Sequence, residues 1–369
     1  MVIGVVALVL VLTLVGGFFL VRALFSRATS QTTPAQVQPT PASTSPSAGQ
    51  GTLSGSLEGS GASAAQVAME AWSQDLSRTH PGLTLNYSPV GSGAGRADFS
   101  SGGSVFAMSD RALKDDEINR TTQCVGPAIN LPVVVMPLAI LANVPGTTQL
   151  TLDAPTLVAI YTGGITTWND PRIASLNAGV TLPNTPITPV YRSDNAAVNE
   201  VLTAWLAPAG GSLGSGGEWK GTTGQAAKGS SGVATAVGST AGALGYLESG
   251  LVPAGSTLIS LRQGDKAYSP TGPQATQLLD QSPRVPGRGP NDLARVITPG
   301  TGDAYPLLRV TYLIVCEKYA DPSQGELVQG TFSWIVSPEG HGRAVSAGGS
   351  ARLSEQMYAE LAAAVSTIS

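Results

Sequence analysis

Two long apolar runs set the architecture that this sequence predicts. Leu131–Val144 is a nearly continuous stretch of strand-forming residues interrupted by Pro137, and Leu307–Val315 is a second stretch of the same kind. Such runs are typical of strands that are buried on both faces. Short α/β units precede the first run and fill the chain between the two. We therefore expect an α/β fold of two lobes joined by two crossover strands, with a ligand site between the lobes.

The N-terminal residues do not resemble a folded domain. Met1–Val21 contains no charged side chain and is long enough to cross a bilayer as a helix. It has neither a basic start nor a lipobox cysteine, which favours an uncleaved anchor over a removed signal peptide. Arg22 and Arg27 would by themselves favour a cytoplasmic domain, but long domains translocate regardless of flanking charge, so the orientation stays open here.

Composition then divides the chain. Ser26–Ser54 is rich in Ser, Thr and Pro, and it has almost nothing to bury, which predicts a disordered tether. We expect a transmembrane anchor over residues 1–25, a linker over residues 26–55, one lobe from residues 56–135 and 306–369, and a second lobe from residues 136–305.

Charge and residue content exclude two function classes. A net charge of -4 and a pI near 5.2 give no electrostatic footprint for nucleic acid. His80 and His341 are the only candidate imidazole bases, and no G-x-S-x-G motif occurs. We expect both histidines to have surface structural roles, and we do not expect an enzyme.

The cysteines, Cys124 and Cys316, match neither a zinc motif nor a redox motif. In an exported protein the simplest expectation is one disulfide. In a cytosolic protein two buried free thiols would be the better expectation.

The stretch Val190–Leu206 carries the clearest binding signal. It passes from a strand pattern through Arg192 into a helix with apolar residues at helical spacing. Ser193, Asp194 and Asn195 are all good N-cap types, so the first helical N–H groups should lie beside the guanidinium. That arrangement suits an oxyanion. An ordinary capped helix with a structural Arg–Asp pair is the alternative reading, and the motif alone does not decide.

Three further positions support an anion site. Ser63 is placed to cap the first helix of the globular part, and Ser92 lies in the Gly-rich turn Gly91–Gly95 that follows a strand. Asp110 follows a short strand and is the carboxylate that we expect in a cleft. A solvated turn aspartate is the alternative for this position.

Taken in order, these segments resemble the phosphate-binding protein of Pst-type ABC phosphate transporters, a type II periplasmic binding protein. The resemblance covers roughly Gly55–Ser369. The matching segments are LEGSGAS at Leu57–Ser63, GSGAG at Gly91–Gly95, FAMSDRAL at Phe106–Leu113, GGITTWNDPRIASLNAG with LPNTPI in Gly163–Ile187, YRSD at Tyr191–Asp194, GQAAKGSSGVA at Gly224–Ala234, GALGYLE at Gly242–Glu248 and YPLLRVTYLIVCEK at Tyr305–Lys318.

The resemblance implies that phosphate or another small oxyanion is held in the interlobe cleft without a metal or cofactor. By the matching positions, Ser63 and Ser92 supply hydroxyls, Asp110 accepts a proton from the ligand, Arg192 supplies the guanidinium and Asp194 holds that guanidinium. The resemblance also implies an extracytoplasmic domain at the cell membrane, a membrane permease as partner, and a disulfide between the cysteines.

The sequence departs from the family in the loop after Arg192. Where the family has two hydroxyl residues and a glycine, this chain has Ala196, Val198 and Ala197, and Ala64 replaces an aromatic residue. Two lost hydrogen bonds to a charged ligand would weaken binding by roughly 3–6 kcal/mol, or about a hundred- to ten-thousand-fold. Two functions therefore stay open: a tethered phosphate receptor, or a receptor-derived accessory, scaffold or sensor subunit of an envelope complex that no longer transports phosphate.

Overall fold

The computed structural model describes Thr52–Ser369; the predicted anchor and residues 26–51 of the predicted linker lie outside these residues. The strands are β1 (Ser54–Gly61), β2 (Gly82–Ser88), β3 (Phe106–Ser109), β4 (Ala128–Ala142), β5 (Gln149–Asp153), β6 (Thr188–Arg192), β7 (Gly214–Ser215), β8 (Glu218–Trp219), β9 (Gln225–Ala227), β10 (Ala243–Glu248), β11 (Thr257–Gln263), β12 (Lys266–Tyr268) and β13 (Leu308–Cys316). The helices are α1 (Gln66–Thr79), α2 (Ser92–Ser101), α3 (Asp115–Ile118), α4 (Ala154–Tyr161), α5 (Pro171–Leu176), α6 (Ala197–Leu206), α7 (Gly229–Ser239), α8 (Gln277–Gln281), α9 (Pro322–Ile335), α10 (Pro338–Ser346) and α11 (Glu355–Val365). Within the described part of the chain, no helix combines the length and apolarity needed to span a membrane.

The long apolar run predicted as a buried strand is β4, and all 15 of its residues are buried. Its first part, Ala128–Pro137, pairs with β13, and its last part, Leu138–Ala142, pairs with β10. The strand therefore passes from one half of the sheet to the other at Pro137. Strands β2, β1, β3 and β13 lie on one side, and β10, β6 and β9 lie on the other.

Each half of the sheet carries its own core, which confirms the bilobal α/β fold. Trp72, Phe106 and Phe332 pack in the first lobe, while Trp168 and Tyr246 pack in the second. Strand β4 contributes to both cores, since Leu131 packs in the first core and Ile140 packs in the second. The lobes are thus two separately packed bodies that share one strand.

The chain crosses back between the lobes beside β4. Leu307 packs in the second core and Leu308 in the first. The two crossings are hydrogen-bonded to each other, since the Leu138 amide donates to the Leu307 carbonyl at 2.9 Å and the Tyr305 hydroxyl donates to the Leu138 carbonyl at 2.5 Å. This junction forms the connection between the two lobes.

The domain boundaries from sequence differ from the structure in two places. β1 begins at Ser54, inside the predicted linker. The Pro-rich segment that follows residue 270 falls in the predicted second lobe, but Leu278, Leu279 and Leu293 pack in the first core. The polar composition of this segment does not predict the short helix α8, whose two leucines pack in the first core.

Cys124 and Cys316 form the disulfide that the resemblance implied, with a Cα–Cα distance of 5.2 Å and a sequence separation of 192. It ties the segment before β4 to the end of β13. Both cysteines belong to the first lobe, where Cys316 is fully buried. The bond therefore closes a long loop that contains the whole second lobe.

The prediction that His341 lies at the surface is wrong. No helix is predicted where α10 lies, and α10 packs so closely on α1 that the Trp72 indole donates to the Gly340 carbonyl at 2.8 Å. His341 is 1% exposed; its Nδ1 lies 2.9 Å from the Tyr358 hydroxyl and its Nε2 lies 3.2 Å from the Ser350 hydroxyl. Burial lowers the pKa of His341 to about 4.

We predict an acid-dependent loss of stability from this histidine. As the pH falls, the unfolded chain binds a proton near the ordinary pKa of 6.5, whereas folded His341 binds one only near 4. The free energy of unfolding should therefore fall by roughly 3 kcal/mol across that window, and it should be fully retained above it. Urea unfolding at a series of pH values should show this slope, and His341→Gln should remove it. An unchanged slope in the variant would contradict the assignment.

We predict a large contribution from the disulfide. Replacing both cysteines by alanine should lower the free energy of unfolding by on the order of 5 kcal/mol, because the unfolded chain regains the entropy of a long open loop. Denaturant unfolding with and without reductant measures this directly. A reduced wild-type protein as stable as the oxidised one would contradict it.

Candidate functional site

Close packing of two glycines positions the first wall of the site. The predicted Gly-rich turn is the first turn of α2, with Gly91 at its N-cap in the left-handed region at φ 95°. A side chain on Gly95 would place its Cβ 2.3 Å from the Gly61 Cα. The helix therefore packs directly on the end of β1, and this contact brings Ser92 to the end of the neighbouring strand β3.

Asp110, just after β3, is fixed by two hydroxyls. Ser92 Oγ accepts from the Asp110 amide at 3.1 Å and approaches Oδ2 at 3.2 Å. Thr311 on β13 donates to Oδ1 at 2.6 Å. Because Asp110 is half-buried and Thr311 is 1% exposed, the Asp110 carboxylate is oriented from its buried side. Each of its oxygens keeps a further lone pair for a ligand.

Arg192, at the end of β6, is fixed in a similar way in the other lobe. Its Nε and Nη2 donate to the two carboxylate oxygens of Asp194 at 2.8 and 2.5 Å, and its Nη1 donates to the Ser230 hydroxyl at 2.7 Å. The Gly229 amide also donates to Asp194 at 3.0 Å. These contacts, the bond from Arg192 above all, hold the pKa of the Asp194 carboxyl well below its usual range. Asp194 therefore stays charged and orients the guanidinium.

The helix after Arg192 starts later than predicted. Its N-cap is Ala196, which has no side-chain hydroxyl, and the helix begins at Ala197. Asp194 is unavailable for capping because Arg192 and Gly229 occupy its oxygens. The loop is tied instead by Asn199, whose amide donates to the Arg192 and Asp194 carbonyls at 3.3 and 3.2 Å. The first N–H groups of the helix have no partner within the helix.

Ser63 does not cap the first helix as predicted. A 3-10 turn, Ser63–Ala65, intervenes, and α1 begins only at Gln66. The Ser63 hydroxyl is exposed and donates to the Pro89 carbonyl at 3.2 Å. Its role as a hydroxyl donor to a ligand stays a prediction.

One cavity of about 1080 Å³ brings the predicted residues of both lobes together. Ser63, Ser92 and Asp110 line it from the first lobe, and Arg192 and Asp194 line it from the second. The residues that lack the family's hydroxyls and glycine, Ala196, Ala197 and Val198, also line this cavity. The altered loop therefore faces the same space as the retained residues.

The floor of the cavity holds residues that the sequence analysis missed. Ser230 donates to Glu248 Oε2 at 2.5 Å, and Glu248 Oε1 lies 3.4 Å from Nη1 of Arg309. Arg309 and Thr311 are alternate residues of β13 and share a face of the strand. Polar residues at alternate positions in an otherwise apolar run were the signal available in the sequence.

Two other arginines at the edge of the first lobe share a single carboxylate. Arg96 and Arg111 both bind Glu117, at 3.1 Å and at 2.6 Å for their shortest contacts. The hydrogen bond from Arg111 is the largest cause that lowers the pKa of Glu117 to about 2. Across residues 52–369, no group of His, Cys, Asp or Glu side chains is arranged to hold a metal ion.

Comparison with known proteins identifies the family of this chain. A sequence profile of the PBP superfamily domain matches residues 46–339. Phosphate-binding protein PstS 3 of Mycobacterium leprae is 36% identical over 305 residues, which cover 78% of this chain and 81% of that protein. Phosphate-binding protein PstS 2 of Mycobacterium tuberculosis is 34% identical over 350 residues, which cover 88% of this chain and 92% of that protein.

A solved structure supports the fold independently. The high-affinity periplasmic phosphate-binding protein PfluDING, bound with phosphate, superposes with a TM-score of 0.60 at 22% identity, covering 84% of this chain and 93% of that one. At that identity the likeness concerns the fold alone. Together with the two relatives and the profile match, it leads to one assignment: the chain belongs to the PBP superfamily and, within it, to the Pst-type phosphate-binding proteins.

Proposed function

We propose that this chain is a membrane-tethered, extracytoplasmic solute-binding protein that holds phosphate in the cavity between its lobes and delivers it to a membrane permease. One observation carries the proposal: Asp110 and Arg192, from opposite lobes and each fixed by its own hydrogen bonds, line one cavity. The names of the relatives, phosphate-binding proteins, agree with it.

The pairing of a carboxylate with a guanidinium defines the ligand. Arg192 donates to oxygens of an anion, whereas the Asp110 carboxylate accepts from Ser92 and Thr311 and offers a ligand only acceptor oxygens. A ligand that carries both negative charge and a proton satisfies both groups. Phosphate at neutral pH is such a ligand and sulfate is not.

The altered loop makes the site weaker than a site with the family's full set of hydroxyls. Ala196 and Val198 line the cavity but carry no hydroxyl, and the Ala196 N–H already donates to the Gly217 carbonyl at 3.0 Å. The loss of about two hydroxyl hydrogen bonds corresponds to a hundredfold or more in affinity.

The predicted anchor and linker place the domain at the membrane. In this proposal residues 1–25 are the membrane anchor, the residues from 26 to the start of β1 at Ser54 are the tether, and the domain lies outside the cytoplasm. The disulfide supports this side, because such bonds persist in oxidising compartments.

A second candidate is an accessory, scaffold or sensor subunit of an envelope complex that no longer transports phosphate. The absence of hydroxyls at Ala196 and Val198 is the observation that favours it. In such a subunit the bilobal shape and the Arg192–Asp194 ion pair would have only a structural role.

Calorimetric titration of the purified full-length chain separates the two candidates. We expect saturable binding of inorganic phosphate and no binding of sulfate. Asp110→Ala or Arg192→Ala should weaken phosphate binding by at least about tenfold, because each removes a bond to a charged group. Asp303→Asn is the matched control, since this carboxylate lies at the surface with 70% of its side chain exposed. No heat with any oxyanion would reject the receptor and favour the scaffold.

Restoring the loop hydroxyls tests the account of the weakened site. Ala196→Ser combined with Val198→Thr should strengthen phosphate binding by roughly tenfold or more, since both positions line the cavity. Ala207→Ser, at the exposed turn after α6, is the control and should change nothing. An unchanged affinity in the double variant would mean that the start of α6 does not reach the ligand.

A further inference from the structure

Arg309 has few partners for a buried cation. It is 8% exposed, on a strand whose other residues are almost all apolar. Its Nη2 donates to the Met136 thioether at 3.3 Å, which is a weak acceptor, and its Nη1 lies 3.4 Å from Glu248. Its Nε is buried and has no hydrogen-bond partner among the described residues. A guanidinium has five N–H groups, and burying it with so few acceptors is costly.

The position of Arg309 indicates which partner would accept hydrogen bonds from its unpaired N–H groups. It lines the same cavity as Asp110 and Arg192. It precedes Thr311 by two residues on one face of β13, about 7 Å along the strand, and Thr311 holds Asp110. The long Arg309 side chain is therefore within reach of an anion bound at Asp110.

Glu248 is the group that such an anion would compete with. Its Oε2 already accepts a short hydrogen bond from Ser230, which in turn accepts from Arg192. Its other oxygen is left to face Arg309 at a distance longer than a good charge-assisted hydrogen bond. The carboxylate can keep Ser230 while Arg309 turns to a ligand.

We propose that Arg309 is a second guanidinium of the oxyanion site, which donates to the bound ligand and compensates for the hydroxyls missing at Ala196 and Val198. The inference rests on the proposed function and adds a residue to it. The site then contains a cation from each side of the junction between the lobes, Arg309 on β13 and Arg192 on β6. Glu248 holds Arg309 until the ligand arrives.

A purely structural role for the pair makes a different prediction. Removing either partner of a buried ion pair leaves the other charge uncompensated, so both single substitutions should harm the protein and the neutral double variant should recover. If Arg309 also donates to phosphate, the two single substitutions differ in their effect on binding, because only the substitution of Arg309 removes a contact to the ligand.

The test is a calorimetric titration of the full-length chain with inorganic phosphate. Arg309→Met and the double variant Arg309→Met with Glu248→Gln should both weaken binding by at least about tenfold. Glu248→Gln alone should tighten binding, since it removes an anion that competes for Arg309 and keeps an acceptor for Ser230. Arg262→Gln, on β11 outside the cavity, is the matched control and should bind as wild type. Thermal unfolding of each variant reports whether it is folded.

Two outcomes overturn the inference, and they are distinguishable. A folded double variant that binds phosphate as tightly as wild type would reduce Arg309 and Glu248 to a structural pair and leave the proposed function intact. A wild-type chain that gives no heat with phosphate would reject the proposed function and this inference together.

Discussion

The site depends on an almost continuous path of polar contacts along the floor of the cavity. Asp110 is bound by Thr311, which shares a strand face with Arg309. Arg309 faces Glu248, and Ser230 joins Glu248 to Arg192. These residues lead from the acceptor of one lobe to the donor of the other, and the 3.4 Å contact between Arg309 and Glu248 is the step that crosses between the lobes. An anion bound between the lobes needs both the acceptor and the donor.

The fold supports that path with separate cores and a narrow junction. Each lobe buries its own aromatic residues, so each wall of the cavity is held by packing that does not depend on the other. The lobes are joined at Pro137 and at Leu307–Leu308, where the two crossings bond to each other. Arg309 and Glu248 lie beside this junction, on opposite sides of it. The ion pair between them is therefore also a contact between lobes.

The sequence predicted the architecture well, because long apolar runs with strand-forming residues have few alternatives to burial. It also named the five residues Ser63, Ser92, Asp110, Arg192 and Asp194, since the family motifs mark them, and these residues do line one cavity. It failed where competition between side chains decides the outcome. Asp194 could not cap α6 because Arg192 occupies it. His341 and the leucines of α8 are buried by helices that a polar, Pro-containing sequence conceals.

The central claim is that one oxyanion meets groups of both lobes in this cavity. A crystal structure grown from the protein with inorganic phosphate tests it most directly. The account predicts one tetrahedral anion within hydrogen-bonding distance of Asp110 and of the guanidinium groups of Arg192 and Arg309. A cavity that holds only water at saturating phosphate, or an anion bound by residues of a single lobe, would contradict it.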